Sequence, residues 1–478
     1  MTTRRLFLDI LTLARASGHA DGIVRTLREI ACYAAAHRPD VVLVLHDQDK
    51  NELRIVKPQW IKHVLDGSAK IDTSHFSGEL ARYRRFRDRL PSSLRRLSMW
   101  VDRPRRQAFL AMERIRLDGG FAAPIATRLQ AFLMNEKYKR ELPEVRGQRR
   151  MLLPYDIAVA EAVQPNQNDV LILAGSDWLA MGQQLDAAAR RGRPRTAVLC
   201  YDITPILFPQ FSREKDAKIF KACFDKVFEV SDLVIVTANR ILEDVRLYCK
   251  KNAMELRHSG VVRLGADFEP APDHVSPDSA PVGRAGSDLP SGLGVAAFAI
   301  FVSTIGPRKG HRLLASVWKR LLAAGVPQKY NFKLVFVGRT DPLMDDFMAE
   351  LKSDASLGDS LVLLSGIDDA LLARLYSRAG FCLYPSMYEG FGLPVIEGFC
   401  HGKAIIASNG GALPETIGLL SPCLDPTDED AWYDTLKSWI ENPDARMAYE
   451  QAIKSSFKPR SWEQAAKDFF ATVDRELA

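Results

Sequence analysis

Two adjacent basic residues, Arg308 and Lys309, follow an apolar run in the second half of the chain. The run AFAIFVST (297–304) is typical of a buried strand, and an amphipathic helical pattern begins after Gly310. Free backbone amides at the start of a helix and the positive end of its dipole attract anions, and side-chain cations strengthen that attraction. The pattern predicts a phosphate site at this pair, although a lysine on its own would be weak evidence.

Two glutamates, Glu389 and Glu397, enclose the stretch EGFGLPVIE, which follows a second apolar run, FCLYPS (381–386). The glycines let the backbone approach a ligand closely with its N–H groups free to donate, and Pro394 fits the first turn of a helix. Both carboxylates should then point into one cleft, where they can accept hydrogen bonds from a ribose and from a hexose. By spacing alone, ordinary surface acids are the simpler interpretation.

These side chains need a scaffold of parallel strands. Short β-branched apolar runs alternate with stretches of helical period, which is the pattern of strands buried on both faces. The predicted strands are 5–10, 41–46, 170–175, 197–202, 233–238, 261–266, 297–304, 333–338, 361–366, 381–386 and 404–409. Ligands of such sheets bind beyond the carboxyl ends of the strands. The predicted fold class is α/β, with two doubly wound Rossmann-like domains facing each other across a cleft.

The length of the chain supports this division into domains. A chain of 478 residues exceeds the size at which a single core usually divides, about 250–300 residues. Residues 270–296 carry five prolines and four glycines without an apolar period, and they predict a linker between domains at 1–269 and 297–478. Residues 67–150 interrupt the strand–helix alternation with mostly helical, basic sequence and are predicted to be an insertion in the first domain.

Composition excludes several protein classes. Hydrophobic residues make up 47% and charged residues 26% of the chain, which is average for a globular protein. Seven scattered cysteines without a CxxC pair indicate neither a disulfide framework nor a zinc site and fit a reducing cytoplasm. No stretch approaches the roughly 18 apolar residues that a membrane span requires. Residues 82–106, with ten arginines and two aspartates, should attract an anionic membrane surface unless they form a solvated helical face.

The second domain resembles the nucleotide-sugar half of the retaining family 4 glycosyltransferases, which adopt the GT-B fold. The resemblance covers about residues 297–478 and rests on STIGPRKGHRLL, LVFVG and the stretch from SGIDDALL to GGALPET, which contains the family's paired glutamates. In the first domain it rests on DGIVRTLREI, YDITPILFPQF and SDLVIVTANRILEDV, where mannosyl- and rhamnosyl-transferring relatives are most similar. The segment SWEQAAKDFFATVDREL resembles the family's closing helices, the last of which crosses back to the first domain.

The resemblance implies roles for the predicted site residues. Lys309 and Arg308 should face the donor diphosphate, Glu389 should hold the transferred sugar, and Glu397 should hold the ribose. Donor contacts are also implied for the backbone at Gly22, Gly390, Phe391, Gly392 and Leu393. Many relatives place an arginine a few residues before the lysine, where this chain has Ser303 and Thr304. Arg308, Lys309 and the helix amides should therefore neutralise a larger share of the diphosphate.

The first domain should hold the acceptor. His19 lies in the loop after the first predicted strand, and Asp177 and Asp202 each follow the end of a later strand. Either aspartate could orient an acceptor hydroxyl. Capping of a turn or a helix start is the alternative role for both.

The resemblance implies a retaining hexosyl transfer in the synthesis of a bacterial surface glycan such as the O-antigen of lipopolysaccharide. GDP-mannose is the favoured donor, with UDP-hexoses and dTDP-rhamnose as alternatives, and a glycan or lipid-linked molecule is the expected acceptor. No strong nucleophile is evident, so the favoured route is a same-face one in which the leaving phosphate accepts the proton of the acceptor. No metal and no cofactor besides the donor is expected. A cytoplasmic protein, peripheral at the inner membrane, fits this reaction.

Two other classes stay open. A non-catalytic nucleotide-sugar-binding subunit would share the fold, although the presence of Lys309, Glu389 and Glu397 argues against it. A nucleic-acid-binding protein would act through residues 82–106. Few aromatic residues are interleaved with the arginines there and no binding module is recognisable, so no nucleic-acid partner is expected.

Overall fold

The structure, a computed structural model, describes most of the chain. The described residues are 4–16, 22–74, 76, 92–134, 139, 142, 144–145, 148–188, 193–266, 289–290 and 292–478. His19, most of the predicted linker and residues 82–91 of the arginine-rich segment lie outside the described residues.

The N-terminal half is built on an eight-stranded sheet. The strands of this half are β1 (Leu6–Asp9), β2 (Val41–Asp47), β3 (Glu52–Val56), β4 (Ala69–Asp72), β5 (Glu144–Val145), β6 (Gln148–Arg149), β7 (Met151–Pro154), β8 (Val159–Val163), β9 (Val170–Leu173), β10 (Arg195–Cys200), β11 (Leu233–Val236) and β12 (Ser259–Val261). The large sheet has the order β12-β11-β10-β9-β1-β2-β3-β8. Its strands pair in parallel from β12 to β2, whereas β3 and β8 form an antiparallel edge.

The structure departs from the predicted strands at both edges of this sheet. Strands β3 and β8 were not predicted, because both are short, contain charged residues and lack the continuous apolar run of a buried strand. The last strand covers only 259–261, whereas the prediction was 261–266. The apolar residues that follow it leave the sheet and pack elsewhere, with Leu264 in contact with Trp462 near the C-terminus.

Ten α-helices accompany the N-terminal strands within the described residues. They are α1 (Leu11–Arg15), α2 (Gly22–His37), α3 (Pro58–Leu65), α4 (Ser92–Leu117), α5 (Ala123–Leu133), α6 (Tyr155–Ala158), α7 (Trp178–Ala188), α8 (Thr204–Leu207), α9 (Glu214–Val230) and α10 (Asn239–Lys251), with a 3₁₀ turn at Pro209–Phe211. Between 67 and 150, α4 and α5 form a helical hairpin that leaves from β4 and returns to β7. These two strands pair in parallel as a separate small sheet.

The C-terminal half contains a six-stranded, fully parallel sheet. Its strands are β13 (Phe298–Val302), β14 (Lys333–Val337), β15 (Leu361–Leu364), β16 (Phe381–Tyr384), β17 (Ile405–Ser408) and β18 (Cys423–Leu424), in the order β15-β14-β13-β16-β17-β18. Its α-helices are α11 (His311–Ala323), α12 (Val326–Tyr330), α13 (Asp345–Ser353), α14 (Asp369–Arg378), α15 (Leu393–Cys400), α16 (Leu413–Ile417), α17 (Glu429–Glu441), α18 (Asp444–Ser456) and α19 (Trp462–Glu476). Short 3₁₀ turns occur at Pro307–Lys309, Pro342–Met344 and Gly358–Ser360.

The strand order places a topological switch point beside β13. The chain leaves β13 to form β14 on one side, and β16 lies on the other side. The loops that follow β13 and β16 therefore diverge at the carboxyl edge of the sheet and leave a crevice between them, which is where open α/β sheets bind ligands. Arg308 and Lys309 lie in the first of these loops and Glu389 in the second.

The last helix packs against the N-terminal half rather than against the sheet that precedes it. Phe469, Phe470 and Val473 of α19 are buried in the same apolar core as β1 and α2. The ring of Phe470 stacks on Tyr33 of α2 with centroids 6.0 Å apart. Among the described residues, no helix has both the length and the apolar content that a bilayer crossing requires.

Candidate active site

The loops after β13 and β16 are hydrogen-bonded to each other, and this contact holds the basic pair at the switch point. The backbone N–H of Met387 donates to the carbonyl of Arg308 at 2.7 Å. Gly310 adopts φ 82°, and a Cβ at this position would lie 2.3 Å from the carbonyl oxygen of Pro385. Only glycine fits both the left-handed conformation and this close approach. The glycine of PRKG therefore allows the two loops to make this contact.

Arg308 and Lys309 converge on one carboxylate. The Nζ of Lys309 contacts Oε1 of Glu389, and Nη1 of Arg308 lies 2.8 Å from the same oxygen. Arg308 also donates to the carbonyl of Tyr388 at 2.6 Å. The three side chains are largely buried and together carry one net positive charge. The cluster can therefore receive an additional anion at the edge of the sheet.

The pKa values of this cluster follow from burial and from its two cations. Burial lowers the pKa of Lys309 to about 8, and the neighbouring charge of Arg308 acts in the same direction. Burial alone would raise the pKa of Glu389, but Arg308 and Lys309 outweigh it and lower that pKa to about 2. Glu389 is thus ionised throughout the physiological range, whereas Lys309 begins to lose its proton in mildly alkaline solution.

Glu397 lies in the second turn of α15 and is held from the opposite half of the protein. Its Oε1 accepts a hydrogen bond from Arg25 of α2 at 2.9 Å, and its Oε2 accepts one from Tyr376 at 3.3 Å. The guanidinium of Arg25 also lies over the ring of Trp462, 5.6 Å from its centroid. Burial raises the pKa of Glu397, while the charge of Arg25 opposes that shift.

Arg25 is a residue that the sequence analysis missed. The signal available was its position in DGIVRTLREI, one of the segments that carries the resemblance. Its partner lies 372 positions away, and an arginine on an amphipathic helix gives no local indication of a distant carboxylate.

The glycine-rich loop after β16 touches the N-terminal half directly. The carbonyl of Gly390 accepts a hydrogen bond from Oγ1 of Thr237 at 3.0 Å. A Cβ on Gly390 would lie 2.2 Å from the carbonyl oxygen of Tyr201 and 3.1 Å from Cβ of Asp202. Close packing of the two halves, and not an unusual φ, is what excludes a side chain here.

The remaining predicted donor contacts also lie along this interface. Gly392 adopts φ 90° and directly precedes α15. A Cβ on Gly22, at the start of α2, would lie 3.3 Å from Cδ1 of Leu393. Phe391 and Leu393 pack against a small apolar cluster that includes Trp462. The fold therefore brings Gly22, Phe391 and Leu393 together where the two halves meet.

The two predicted acceptor aspartates accept hydrogen bonds at helix starts. Asp177 accepts from the backbone N–H of Ala180 at 3.1 Å and pairs with Arg15, while Asp202 accepts from the N–H of Thr204 at 2.9 Å. Both contacts fit the capping alternative. The charge of Asp202 also acts on Arg308 and Lys309 across the interface. The acceptor role of these residues, and that of His19 outside the described residues, stays a prediction.

Arg15 is a second residue that the sequence analysis did not single out. Besides Asp177, its guanidinium contacts Oε1 of Gln48 at 3.0 Å and Oγ1 of Thr73 at 3.1 Å. It thereby joins the loops after β1, β2, β4 and β9 at one edge of the N-terminal sheet. Among the described residues, no group of three or more His, Cys, Asp or Glu side chains is arranged to hold a metal ion.

The C-terminal half matches the model of a known enzyme family. Residues 295–456 match the family described as glycosyl transferases group 1, so the sheet that carries both glutamates and the basic pair is a glycosyltransferase group 1 domain. The whole structure is similar to that of Anabaena Alr3699/HepE in complex with UDP and glucose. The TM-score is 0.55 at 13% identity, with 99% of this chain and 100% of that chain covered. The fold is GT-B, with two Rossmann-like domains, as predicted.

Curated relatives of this chain include O-antigen mannosyltransferases. The serotype-specific mannosyltransferase WbdA of Escherichia coli is 28% identical over 330 residues, which cover 66% of this chain and 38% of WbdA. The O-antigen chain mannosyltransferase B of Escherichia coli is 31% identical over 166 residues, which cover 35% of this chain and 42% of that protein. The matched region thus spans less than half the length of either relative.

Proposed function

We propose that the protein is a retaining glycosyltransferase that moves a hexose from a nucleotide-diphosphate sugar to a hydroxyl of a growing bacterial surface glycan. The observation that carries the proposal is the convergence of Arg308 and Lys309 on Glu389 at the switch point of a glycosyltransferase group 1 domain. A buried site with two adjacent cationic side chains, facing a second domain, is suited to a sugar bound through a diphosphate.

The main catalytic contribution in this proposal is stabilisation of the leaving group. When the bond between the sugar and the diphosphate breaks, negative charge develops on the phosphate oxygens. Cations and N–H groups that already point at these oxygens need no reorganisation at that moment, and they act strongly because the site is largely closed to water. Lys309, Arg308 and the backbone amides that precede α11 supply such stabilising groups.

The state of Glu389 favours a same-face route over a covalent intermediate. Its oxygen is held by two cations and its pKa is about 2, which makes the carboxylate a weak nucleophile. Glu389 is better suited to accept hydrogen bonds from hydroxyls of the transferred sugar. The phosphate that leaves would then take the proton of the acceptor hydroxyl on the same face, and the anomeric configuration would be retained.

Glu397 is proposed to hold the ribose of the donor. Its carboxylate lies in the second turn of α15, close to the N-terminal half through Arg25. Ribose hydroxyls would donate to the same carboxylate oxygens that Arg25 and Tyr376 contact. Donor binding and the contact between the two domains would therefore share one carboxylate.

GDP-mannose is the proposed donor because two curated relatives are named mannosyltransferases. UDP-hexoses and dTDP-rhamnose are the alternatives. The acceptor is proposed to be a lipid-linked glycan that meets the N-terminal domain near Asp177 and Asp202, at the cytoplasmic face of the inner membrane.

A donor screen tests this proposal. Thermal stabilisation and slow hydrolysis of GDP-mannose, UDP-glucose, UDP-N-acetylglucosamine, UDP-galactose and dTDP-rhamnose would be followed with the wild type and with Glu397→Gln. Glu429→Gln is the matched control. It also removes a carboxylate that forms an ion pair, in this case with Arg320 at 3.1 Å. Glu429 lies at the start of a helix away from the switch-point loops.

One donor should stabilise and be hydrolysed by the wild type and the control, and Glu397→Gln should lose this effect. Stabilisation of the wild type without hydrolysis, and without transfer to a glycan acceptor, would indicate a non-catalytic nucleotide-sugar-binding subunit. If no donor stabilises the wild type, the proposed function is wrong.

A further inference from the structure

The helical hairpin of the N-terminal domain exposes a stripe of large apolar side chains. Phe121, in the turn before α5, is 98% exposed, and Phe132, near the end of α5, is 83% exposed. Ile125 and Leu129 lie between them and are also exposed. Ile125, Leu129 and Phe132 follow one another at intervals of four and three residues, so they lie on one face of the helix, and Phe121 precedes Ile125 by four residues in the adjoining turn.

A neighbouring face of α5, rotated by about 100° from the stripe, already packs against the protein, so the stripe is not needed to hold the helix in place. Ala126 and Gln130 are buried against α4, and the amide of Gln130 donates to the carbonyl of Phe109 at 3.3 Å. Leu133 packs on Phe109 within a small apolar core. A helix that packs one face against its own domain and exposes a row of large apolar side chains on another is unusual for a globular protein and implies a second apolar environment.

The surrounding charge indicates the nature of that environment. Residues 82–150 contain 19 Lys and Arg and 7 Asp and Glu, a net charge of +12, while the whole chain is +6. The rest of the protein is therefore negative, at −6. Arg128 belongs to this excess and lies exposed between Ile125 and Leu129 in the chain. The exposed apolar stripe and the strongest positive charge of the molecule thus occur in the same insertion.

We propose that the stripe Phe121, Ile125, Leu129 and Phe132 inserts into the surface of an anionic lipid bilayer, with described basic side chains of the same insertion, Arg128 among them, contacting the lipid head groups. A helix that presents apolar residues on one face among basic residues binds in the interfacial region of membranes with negative lipids. Binding combines burial of the four side chains with attraction between these basic side chains and the anionic head groups.

Charge also distinguishes a bilayer from a second copy of this chain as the occupant. Two copies that met through this face would bring together two segments of +12 each, and their mutual repulsion would oppose the contact. An anionic surface removes that repulsion. The lipid bilayer is therefore the occupant to which the proposal commits.

The base of the hairpin is tied to the predicted acceptor end of the N-terminal sheet. Arg106 of α4 pairs with Asp72 at the end of β4, at 2.7 Å, and the next residue, Thr73, accepts a hydrogen bond from Arg15 at 3.1 Å. Arg15 in turn pairs with Asp177. Insertion of the hairpin would hold this edge beside the bilayer, where a lipid-linked acceptor would be found; this last step rests on the proposed function.

Vesicle flotation tests the insertion directly. The wild type, the double variant Phe121→Ser/Phe132→Ser and a control double variant Leu247→Ser/Leu419→Ser would be mixed with vesicles of phosphatidylethanolamine and phosphatidylglycerol, and separately with phosphatidylcholine vesicles. The control also removes two exposed large apolar residues, Leu247 and Leu419, the latter 97% exposed. Hydrolysis of the donor in the absence of vesicles would be measured in parallel, because it reports the proposed function alone.

The wild type and the control should bind the anionic vesicles and not the zwitterionic ones, and the Phe121→Ser/Phe132→Ser variant should bind about tenfold or more weakly. Its donor hydrolysis should equal that of the wild type. Three results would overturn the proposal: no binding of the wild type, equal binding of all three proteins through salt-sensitive contacts alone, or a dimer in light scattering that the double variant abolishes.

Discussion

Arg25 and Glu397 form an ion pair of 2.9 Å between the two domains of the protein. Arg25 is in the first long helix of the N-terminal domain, and Glu397 is in the helix that follows the glycine-rich loop of the C-terminal domain. Trp462, from the C-terminal helix that packs on the N-terminal domain, covers the guanidinium. The carboxylate proposed to hold the donor ribose is thus also an ion-pair partner of the opposite domain.

Replacement of Arg25 by glutamine should shift the pH dependence of donor binding. Burial already raises the pKa of Glu397, and Arg25 opposes that rise. Without the guanidinium the pKa of Glu397 should rise further, because burial would no longer be opposed by a neighbouring positive charge. Because the ribose needs the ionised carboxylate, donor affinity should then be lost at a higher pH as the solution is acidified. The donor KM, measured from pH 5 to 8, would show this shift.

Arg25→Lys is the control for that measurement. It keeps the positive charge, so its acidic limb should stay close to that of the wild type. Identical limbs in all three proteins would mean that Glu397 does not govern donor binding.

Removal of the ammonium group at Lys309 should slow turnover. The proposed role is stabilisation of charge on the leaving diphosphate, and loss of one such donor usually costs on the order of 10²–10³ in rate. Lys309→Ala should therefore lower kcat by this factor at saturating donor. Lys319→Ala is a suitable control, because Lys319 pairs with Asp354 at 2.8 Å on the outer side of α11. A wild-type kcat in Lys309→Ala would contradict the assignment.

The pH profile of the activity should fall on its alkaline side, because Lys309 loses its proton there. Its pKa of about 8 in the free protein means that the protonated form is present below that pH and is lost above it. Because kcat/KM reports ionisations of the free enzyme, kcat/KM for the donor should fall as pH rises past about 8. In Lys309→Arg this fall should disappear, since arginine keeps its charge, even if the plateau is lower. Persistence of the fall would assign it to another group.

Addition of a single methyl group at Gly390 should disturb the contact between the domains. A Cβ there would meet the carbonyl of Tyr201 at 2.2 Å, and backbone cannot move aside as a flexible side chain can. Gly390→Ala should reduce donor hydrolysis about tenfold or more and increase the radius of gyration in small-angle X-ray scattering.

Gly182→Ala provides the comparison for this change. Gly182 lies within α7, where a Cβ would meet nothing within 4 Å. That variant should keep its activity and scattering, and should gain about 0.5–1 kcal/mol in stability because alanine favours a helix over glycine. Unchanged scattering and hydrolysis in Gly390→Ala would show that the contact between the two halves can accommodate a Cβ at this point, contrary to the prediction.

The doubly wound α/β architecture and the basic pair can be predicted from short-range patterns in the sequence, whereas the GT-B fold is implied by the resemblance to a known family. Buried parallel strands are continuous apolar runs, and the runs at 297–304 and 381–386 correspond to β13 and β16. Residues that follow a strand and precede a helix lie at the carboxyl edge of the sheet whatever the order of its strands. For this reason Arg308, Lys309 and Glu389 could be placed at that edge before any strand was paired.

The pairings across the site required the tertiary structure. Lys309 and Glu389 are 80 positions apart in the chain, and they meet because β13 and β16 are neighbours, which no local pattern specifies. Arg25 reaches Glu397 only through the packing of one domain on the other. Likewise, the apolar period of 121–132 is the same for a helix face in the core and for one in solvent, because periodicity reports a shared face and not what covers it. Only the packing of α5 against α4 decided which of its faces is left exposed.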